Sequence, residues 1–295
     1  MAYSAVSDGV TKTKAAAAPH RARRAPMRWV VLTILILLLA LTLFPFFLAL
    51  LNAVKASAEY AVGGPLSIPS SIDLTSIEKF WILSDFSRKL FNSVLISIGV
   101  ALLGVLISLF NAYAIGVGKV PGSRLILVVF LMGIMVPQES IIYPLYYMAK
   151  ATGLYDTQLA VIIIFAVLQS AFGTYLLSTV LSTFPKEILE AAEMDGSNHW
   201  DTLWLVIVPV LRPTLMVLGT FFFIWTWNEF LIPLVMLVSN NNQTVSVAMG
   251  LTHGQNMSDP VLQASAAFLG IIPTVIFFLI FQRTLTRGIA AGAVK

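Results

Sequence analysis

Apolar residues along this chain gather into six long unbroken runs, at about residues 29–51, 91–117, 125–148, 159–181, 215–238 and 264–281. Each is long enough to cross the hydrocarbon core of a bilayer as a helix, which takes about 20 residues. None alternates polar with apolar positions at period two, so a closed strand barrel is excluded. The pattern predicts an all-α polytopic membrane protein of six transmembrane helices. Three polar stretches are long enough to have structure of their own: 52–90, 182–214 and 239–260.

Composition narrows the class. Hydrophobic residues make up 58% of the 295 and charged ones 11%, against about 25% charged in soluble domains. No room is left for a large soluble catalytic domain. With no cysteine, disulfides, thiolate catalysis, iron-sulfur ligation and cysteine zinc sites are excluded. His20, His199 and His253 are too scattered to form a histidine metal site, and no metal ligand set is predicted.

The net charge of +4 does not point to nucleic acid, because six of the 18 cations, Lys12, Lys14, Arg21, Arg23, Arg24 and Arg28, precede the first run. Residues 1–28 are therefore a disordered basic tail that orients the membrane insertion. Ala56-Ser57-Ala58 would fit cleavage of a signal peptide. The run at 29–51 exceeds the roughly 7–15 apolar residues of such a peptide, and Trp29 stands at an interfacial position, which favours a retained first helix. With the N-terminus inside, Lys119, Arg124, Lys186, Arg212, Arg283, Arg287 and Lys295 join the tail on the cytoplasmic side. Only Lys55, Lys79, Arg88, Lys89 and Lys150 are left outside. This asymmetry puts both termini and the 182–214 loop in the cytoplasm.

That loop is the most informative stretch. Pro185 suits a first helical turn, Glu187 and Glu190 follow where the helix dipole favours acids, and Gly196 stands where a helix ends in a left-handed residue. Ser197 can cap a second short helix, in which Trp200, Leu203, Trp204 and Ile207 recur at helical spacing before Pro209. The result is a helix-turn-helix under the bilayer. Ala191 and Ala192 keep one flank thin enough for close approach to another surface, and the acids offer charge-assisted contacts. A solvated amphipathic loop would show the same spacing.

The residues resolve this by likeness. Glu190-Ala191-Ala192, three residues, Gly196, nine residues and Val206-Ile207-Val208-Pro209 resemble the E-A-A, G, I-x-L-P signature of permeases of binding-protein-dependent ABC importers, departing from it only in Val206 and Val208. Further likeness to the carbohydrate branch, the maltose-transporter type, lies in Asn92-Ser93, Ala112-Tyr113-Ala114, Pro121-Gly122, Pro137-Gln138-Glu139, Pro144-Leu145-Tyr146, Gly153-Leu154, Asp156-Thr157, Trp227-Asn228-Glu229-Phe230 and residues 288–295. The resemblance runs from about residue 90 to the end.

The resemblance implies a type I importer permease fold, with a core of five helices over 91–283 and a coupling loop at 182–214. Glu187, Glu190, Ala191, Ala192, Asp195, Gly196 and Pro209 would form the interface with a cytoplasmic ATPase. It also implies two ATPase subunits that carry ATP and Mg, a second homologous permease as heterodimer partner, and an extracytoplasmic solute-binding protein facing the 239–260 loop. The tail 284–295, with Gly292, Val294 and Lys295, would reach between the ATPase subunits. Localisation would be a bacterial or archaeal plasma membrane.

Two carboxylates, Glu139 and Glu229, fall inside predicted spans, where each would cost about 3 kcal/mol if it faced lipid. They either line a pathway or bond to neighbouring helices. Phe221, Trp225, Asn228 and Ile232 share a helical stripe, which makes Phe221, Trp225, Asn228, Glu229 and Glu139 the candidate pathway. Packing is the other reading of the aromatics. No G-x-x-x-x-G-K-S/T phosphate loop is present, so ATP must be hydrolysed elsewhere and the chain is not itself an enzyme. A polytopic enzyme would need clustered acids or histidines, and a secondary transporter an inverted repeat. Neither is found in the sequence.

Overall fold

The structure, a computed structural model, describes residues 25–118, 120–255 and 259–293, with side chains described over 27–118, 120–252 and 259–282. The chain divides after Phe47 into two compact units. Helix α1 (Ala25–Ala53) lies mostly in the first. Its side chains from Met27 to Phe47 are exposed and, apart from Arg28, Thr33 and Thr42, apolar on every face, a surface matched by lipid rather than water.

The second unit follows in helices α2 (Ser57–Gly63), α3 (Thr75–Leu83), α4 (Phe86–Gly116), α5 (Ser123–Met135), α6 (Ile142–Ala151), α7 (Gln158–Ser182) and α8 (Lys186–Met194). After α9 (His199–Asp201) comes a π-helical segment, Thr202–Ile207, then α10 (Val208–Asn228), α11 (Leu231–Met236), α12 (Val245–Gln255) and α13 (Pro260–Ala293). No strand occurs among the described residues. Five helical stretches are long and apolar enough to cross a membrane. A sixth crossing exists if the bent pair Ser123–Met135 and Gln138–Ala151 is one span.

That pair corrects the expected continuous third span, since its halves meet at 92°. Pro137 is the cause. It has no N–H to donate and forces Val136 into extended backbone (φ −72°, ψ 122°). The fifth span is corrected at both ends. It starts as far back as His199 and ends at Asn228, where Glu229 turns extended (ψ 134°). Pro233 explains this break, because its ring would strike the carbonyl of Glu229 four residues earlier in a continuing helix. Ser246 Oγ donates to that carbonyl instead, at 2.7 Å. Ile232 therefore leaves the expected stripe and is buried in α11.

Helices α4 and α7 form the spine of the unit. Small residues let them approach: a Cβ on Gly173 would stand 2.2 Å from Ser108 Oγ. Hydroxyls and amides bond across the seam, as Ser108 Oγ does to Ser170 O (3.3 Å) and Asn111 Nδ2 to Thr174 Oγ1 (3.3 Å). Toward the Gly116 end of α4, Leu109, Ala112, Leu177 and Leu181 pack with Leu203, Ile207, Leu218 and Phe222. Toward its Phe86 end, the core holds Ile96, Val100, Val161, Phe165, Ile232 and Met236.

The outer polar stretches are more ordered than the sequence suggests. The 52–90 segment carries α2 and α3, and the 239–260 segment carries α12. Lys55, expected as an outside surface cation, is fully buried and donates to Asn52 Oδ1, Gly64 O and Ser67 Oγ. Lys89, also buried, donates to both the carbonyl and Oδ1 of Asn240. Buried ammonium groups need such a cage of acceptors.

Candidate functional site

Helix α8 is a short helix with a proline at one end and a glycine turn at the other. Pro185 precedes it as N-cap (φ −59°, ψ 122°) rather than filling its first turn, and Glu187 stands in that first turn. Its far end closes in a Schellman motif. Gly196 takes φ +80°, its N–H donates to Glu193 O (3.0 Å), and Ser197 N–H donates to Ala192 O (3.0 Å). The next helix is capped by Asn198, not Ser197: its Oδ1 accepts from Trp200 N (2.8 Å) and Asp201 N (3.0 Å). That helix is not short either. It continues through Pro209 and Pro213 to Asn228, the wider π turns just before Pro209 easing the proline's fit.

The two faces of α8 differ. Ala192 is buried, and Leu189 packs against the core that contains Leu203 and Ile207. Glu187, Ile188, Glu190, Ala191, Met194 (87% exposed), Asp195 and Gly196 are exposed. This corrects the expectation for Ala192, which as the residue three after Leu189 faces the chain's own core and is not free to meet another surface. None of the α8 carboxylates makes an ion pair among the described residues. Pro209 is exposed at the start of α10. After the Gly196 turn, Phe110 of α4 stacks on Trp200 (5.8 Å) and meets Trp204 edge-on (6.4 Å).

A cleft of about 250 Å³ opens at the break between α10 and α11, lined by Gln138, Gln169, Trp225, Asn228 and Glu229. Three of the five pathway residues expected from sequence thus come together. Phe221 stands behind, stacked on Trp225 at 5.8 Å. Glu139 is exposed on the 3-10 turn Gln138–Ile141 and does not line the cleft. Gln138 and Gln169 were missed by sequence reasoning. Gln169 carried a usable signal, an isolated amide inside an apolar run. It is 7% exposed, its Nε2 donates to Thr226 Oγ1 (2.9 Å), and its Oε1 has no partner among the described residues. Glu229 Oε1 accepts from Leu231 N at 3.3 Å.

The polar residues of the outer turn are occupied in holding it down. Asn92 Nδ2 donates to Asn241 O (2.8 Å) and Gln243 O (2.9 Å), and Ser93 Oγ accepts from Val245 N (2.9 Å). Asp156, in the left-handed region at φ 61°, accepts from Ser239 N (3.0 Å) and Ser239 Oγ, while its carbonyl accepts from Asn242 Nδ2 (2.6 Å). Burial pushes the Asp156 carboxyl up. The bonds from Ser239, Asn242 and Val238 outweigh it and hold the carboxyl below the usual range.

Helix α13 runs to Ala293, so the segment expected as a flexible tail is helical through Gly292. The side chain of Gly292's neighbours is not described, and Val294, Lys295, Lys119, residues 1–24 and the side chain of His253 lie outside the described residues.

Comparisons with known proteins give the family and the fold. Residues 104–291 match the family described as binding-protein-dependent transport system inner membrane component. The trehalose transport system permease protein SugB of Mycobacterium tuberculosis is 31% identical over 77% of this chain and 84% of its own. The melibiose/raffinose/stachyose import permease protein MelC of Bacillus subtilis is 26% identical over 93% of this chain and 99% of its own. Among solved structures, a chain of a bacterial ABC transporter involved in the import of the acidic polysaccharide alginate superposes with a TM-score of 0.76. It is 19% identical and covers 90% of this chain and 99% of that one.

Proposed function

The chain belongs to the family of inner membrane components of binding-protein-dependent transport systems, and from that premise we propose that it is the permease subunit of an ATP-driven sugar importer. The sugar class rests on the printed names of relatives such as SugB and MelC. The observation that carries the mechanism is the two-faced α8, rooted by Leu189 and Ala192 and exposing Glu187, Glu190, Ala191 and Asp195. A cytoplasmic ATPase subunit takes that exposed face. ATP and Mg belong to two such subunits, and their closure pushes α8 as a lever.

Helix α8 joins, through the Gly196 turn, the 30-residue helical stretch His199–Asn228, a rod of about 45 Å. Trp225 and Asn228 stand at its far end, in the cleft. A push at the turn is thereby delivered to the pathway, made by Trp225, Asn228 and Glu229 with Phe221 as support. A second, homologous permease supplies the facing half. An extracytoplasmic solute-binding protein delivers solute over 239–260, both termini face the cytoplasm, and the tail with Gly292, Val294 and Lys295 reaches the ATPase subunits. Glu139 is assigned to the bent span, not the pathway.

Affinity purification of the tagged chain from its native membranes tests this. An ATPase subunit and a second permease are expected in the wild-type preparation, and the combined change Glu190→Arg and Met194→Asp should remove the ATPase while retaining the permease. Equal ATPase recovery from both preparations would sink the docking assignment.

A further inference from the structure

Resting on the reading of the cleft as solute pathway, we infer that this chain itself contacts the solute there, and that the site accepts neutral polyhydroxylated solutes and rejects acidic ones. The described lining contains one aromatic ring, three amides and one carboxylate, and no cation. Trp225, Asn228 and Glu229 carry the argument, with Gln169 beside them. The Gln169 side chain is more than nine-tenths buried, its Nε2 donates to Thr226 Oγ1, and its Oε1, without a partner within the described residues, is itself buried, so the side chain must turn before it bonds a solute. A hydroxyl both donates and accepts, so it satisfies this amide whichever way round the amide stands. A carboxylate can only accept.

The neighbouring groups have the same bias. Asn228 Nδ2 is engaged by Ile224 O at 2.8 Å, which turns its oxygen to a ligand. Glu229 uses Oε1 for Leu231 N and offers its second oxygen. Acceptors of this kind pair with hydroxyl donors and repel an anion. Trp225 supplies the apolar surface. It is braced by Phe221 (5.8 Å), Phe172 (5.1 Å) and Phe222 (6.2 Å), yet remains 42% exposed. A rigid indole next to hydrogen-bonding groups fits a sugar ring, with C–H groups on one face and hydroxyls at its rim. The volume of about 250 Å³ is just under the ~300–1,000 Å³ of drug-sized sites, enough for one sugar unit at a time. The acidic solute in the name of the structural neighbour would meet the wrong charge here.

The test is saturation-transfer NMR on the full chain with its co-purifying subunits in lipid nanodiscs, using methyl glucoside, maltose and trehalose against glucuronate and galacturonate. Transfer to at least one neutral probe is expected, with the uronates about tenfold weaker. Trp225→Leu and Asn228→Leu, both at exposed positions, should each cut the neutral signal about tenfold with unchanged recovery of the complex. Glu229→Gln should raise the uronate signal. Uronates matching the neutral probes, neutral signal surviving both leucine variants, or no neutral signal from wild type would each overturn the inference. Recovery of the ATPase subunit is scored on the same preparations, so that its absence counts against the importer reading and a failed NMR result against the cleft.

Discussion

Replacing Gly196 by alanine and, separately, by asparagine distinguishes a conformational role for this glycine from a steric one. Gly196 has φ +80°, and a Cβ built on it meets nothing within 4 Å. Inside this chain the whole cost of alanine is therefore the left-handed backbone, about 1–2 kcal/mol for an L-residue. At 1.4 kcal/mol per factor of ten, that is a roughly 5- to 30-fold loss in the population of the closed turn. Asparagine tolerates the left-handed region, so it should lose much less. If instead the partner needed bare backbone at this point, asparagine, being larger, would be the worse variant.

Two readouts follow the population. The amides of Gly196 and Ser197, which close the motif onto Glu193 and Ala192, should exchange with deuterium faster in the alanine variant by the same factor. Recovery of the ATPase subunit should fall in the order glycine, asparagine, alanine. Gly122, also left-handed (φ +78°) with open space around it, serves as control, and Gly122→Ala should leave recovery unchanged. Equal losses for alanine and asparagine at 196, or a loss in the Gly122 variant as large as that at 196, would refute the reasoning.

Other expectations follow from close contacts and bonds. Gly173→Ala sets a methyl 2.2 Å from Ser108 Oγ and 2.9 Å from Phe222 Cζ, so the α4–α7 seam should be destabilised by about 1–3 kcal/mol, seen as a lower melting temperature in detergent. Gly250→Ala puts its methyl 2.4 Å from Phe230 Cε2 and should lift α12 off the α10–α11 break, measured as faster exchange of the α12 amides. Lys55→Met leaves Asn52, Gly64 and Ser67 without their shared donor and should expose the segment around α2 to protease. The depressed Asp156 carboxyl stabilises the outer turn above the ordinary aspartate range near pH 4. That contribution is lost as pH falls through the lowered value, so Ser239 amide exchange should accelerate in acid in wild type and be fast at every pH in Asp156→Asn.

The spans and the inner loop were legible because lipid leaves the backbone few options and because the Gly196 turn is written in one residue type. Breaks were harder. Pro137 and Pro233 were visible, but a proline inside an apolar run bends, ends or merely decorates a helix depending on what takes the freed carbonyl. For Glu229 that is Ser246, 17 positions away. The polarity of 239–243 reflects internal bonding to Lys89, Asn92 and Asp156 as well as the exposure of Ser239, Asn240 and Asn241. The same applies to Ala192. Its neighbour Ala191 is chemically identical, and only the rotation of α8 about Leu189 decides which of the two faces outward.

These long-range ties connect the ends of the molecule. Continuous helix from His199 to Asn228 puts the inner turn and the cleft on one element, and that element stops where Ser246 of α12 grips the carbonyl of Glu229. Helix α12 is itself fixed at its first residue to Ser93 of α4, and α4 is zipped to α7 along the small-residue seam. On the proposed reading, a displacement of α8 passes through the Gly196 turn and Asn198 into this helix, which then runs without interruption to Trp225. Beyond the Gly196 turn and the extended Asn198, the helical path is next interrupted at Glu229, whose backbone is extended, between two helices that Pro233 keeps apart. The break thus falls beside the residues that line the cleft, so that, on the proposed importer reading, a motion arriving from the Gly196 turn would change an angle at the pathway instead of being spread along the helix.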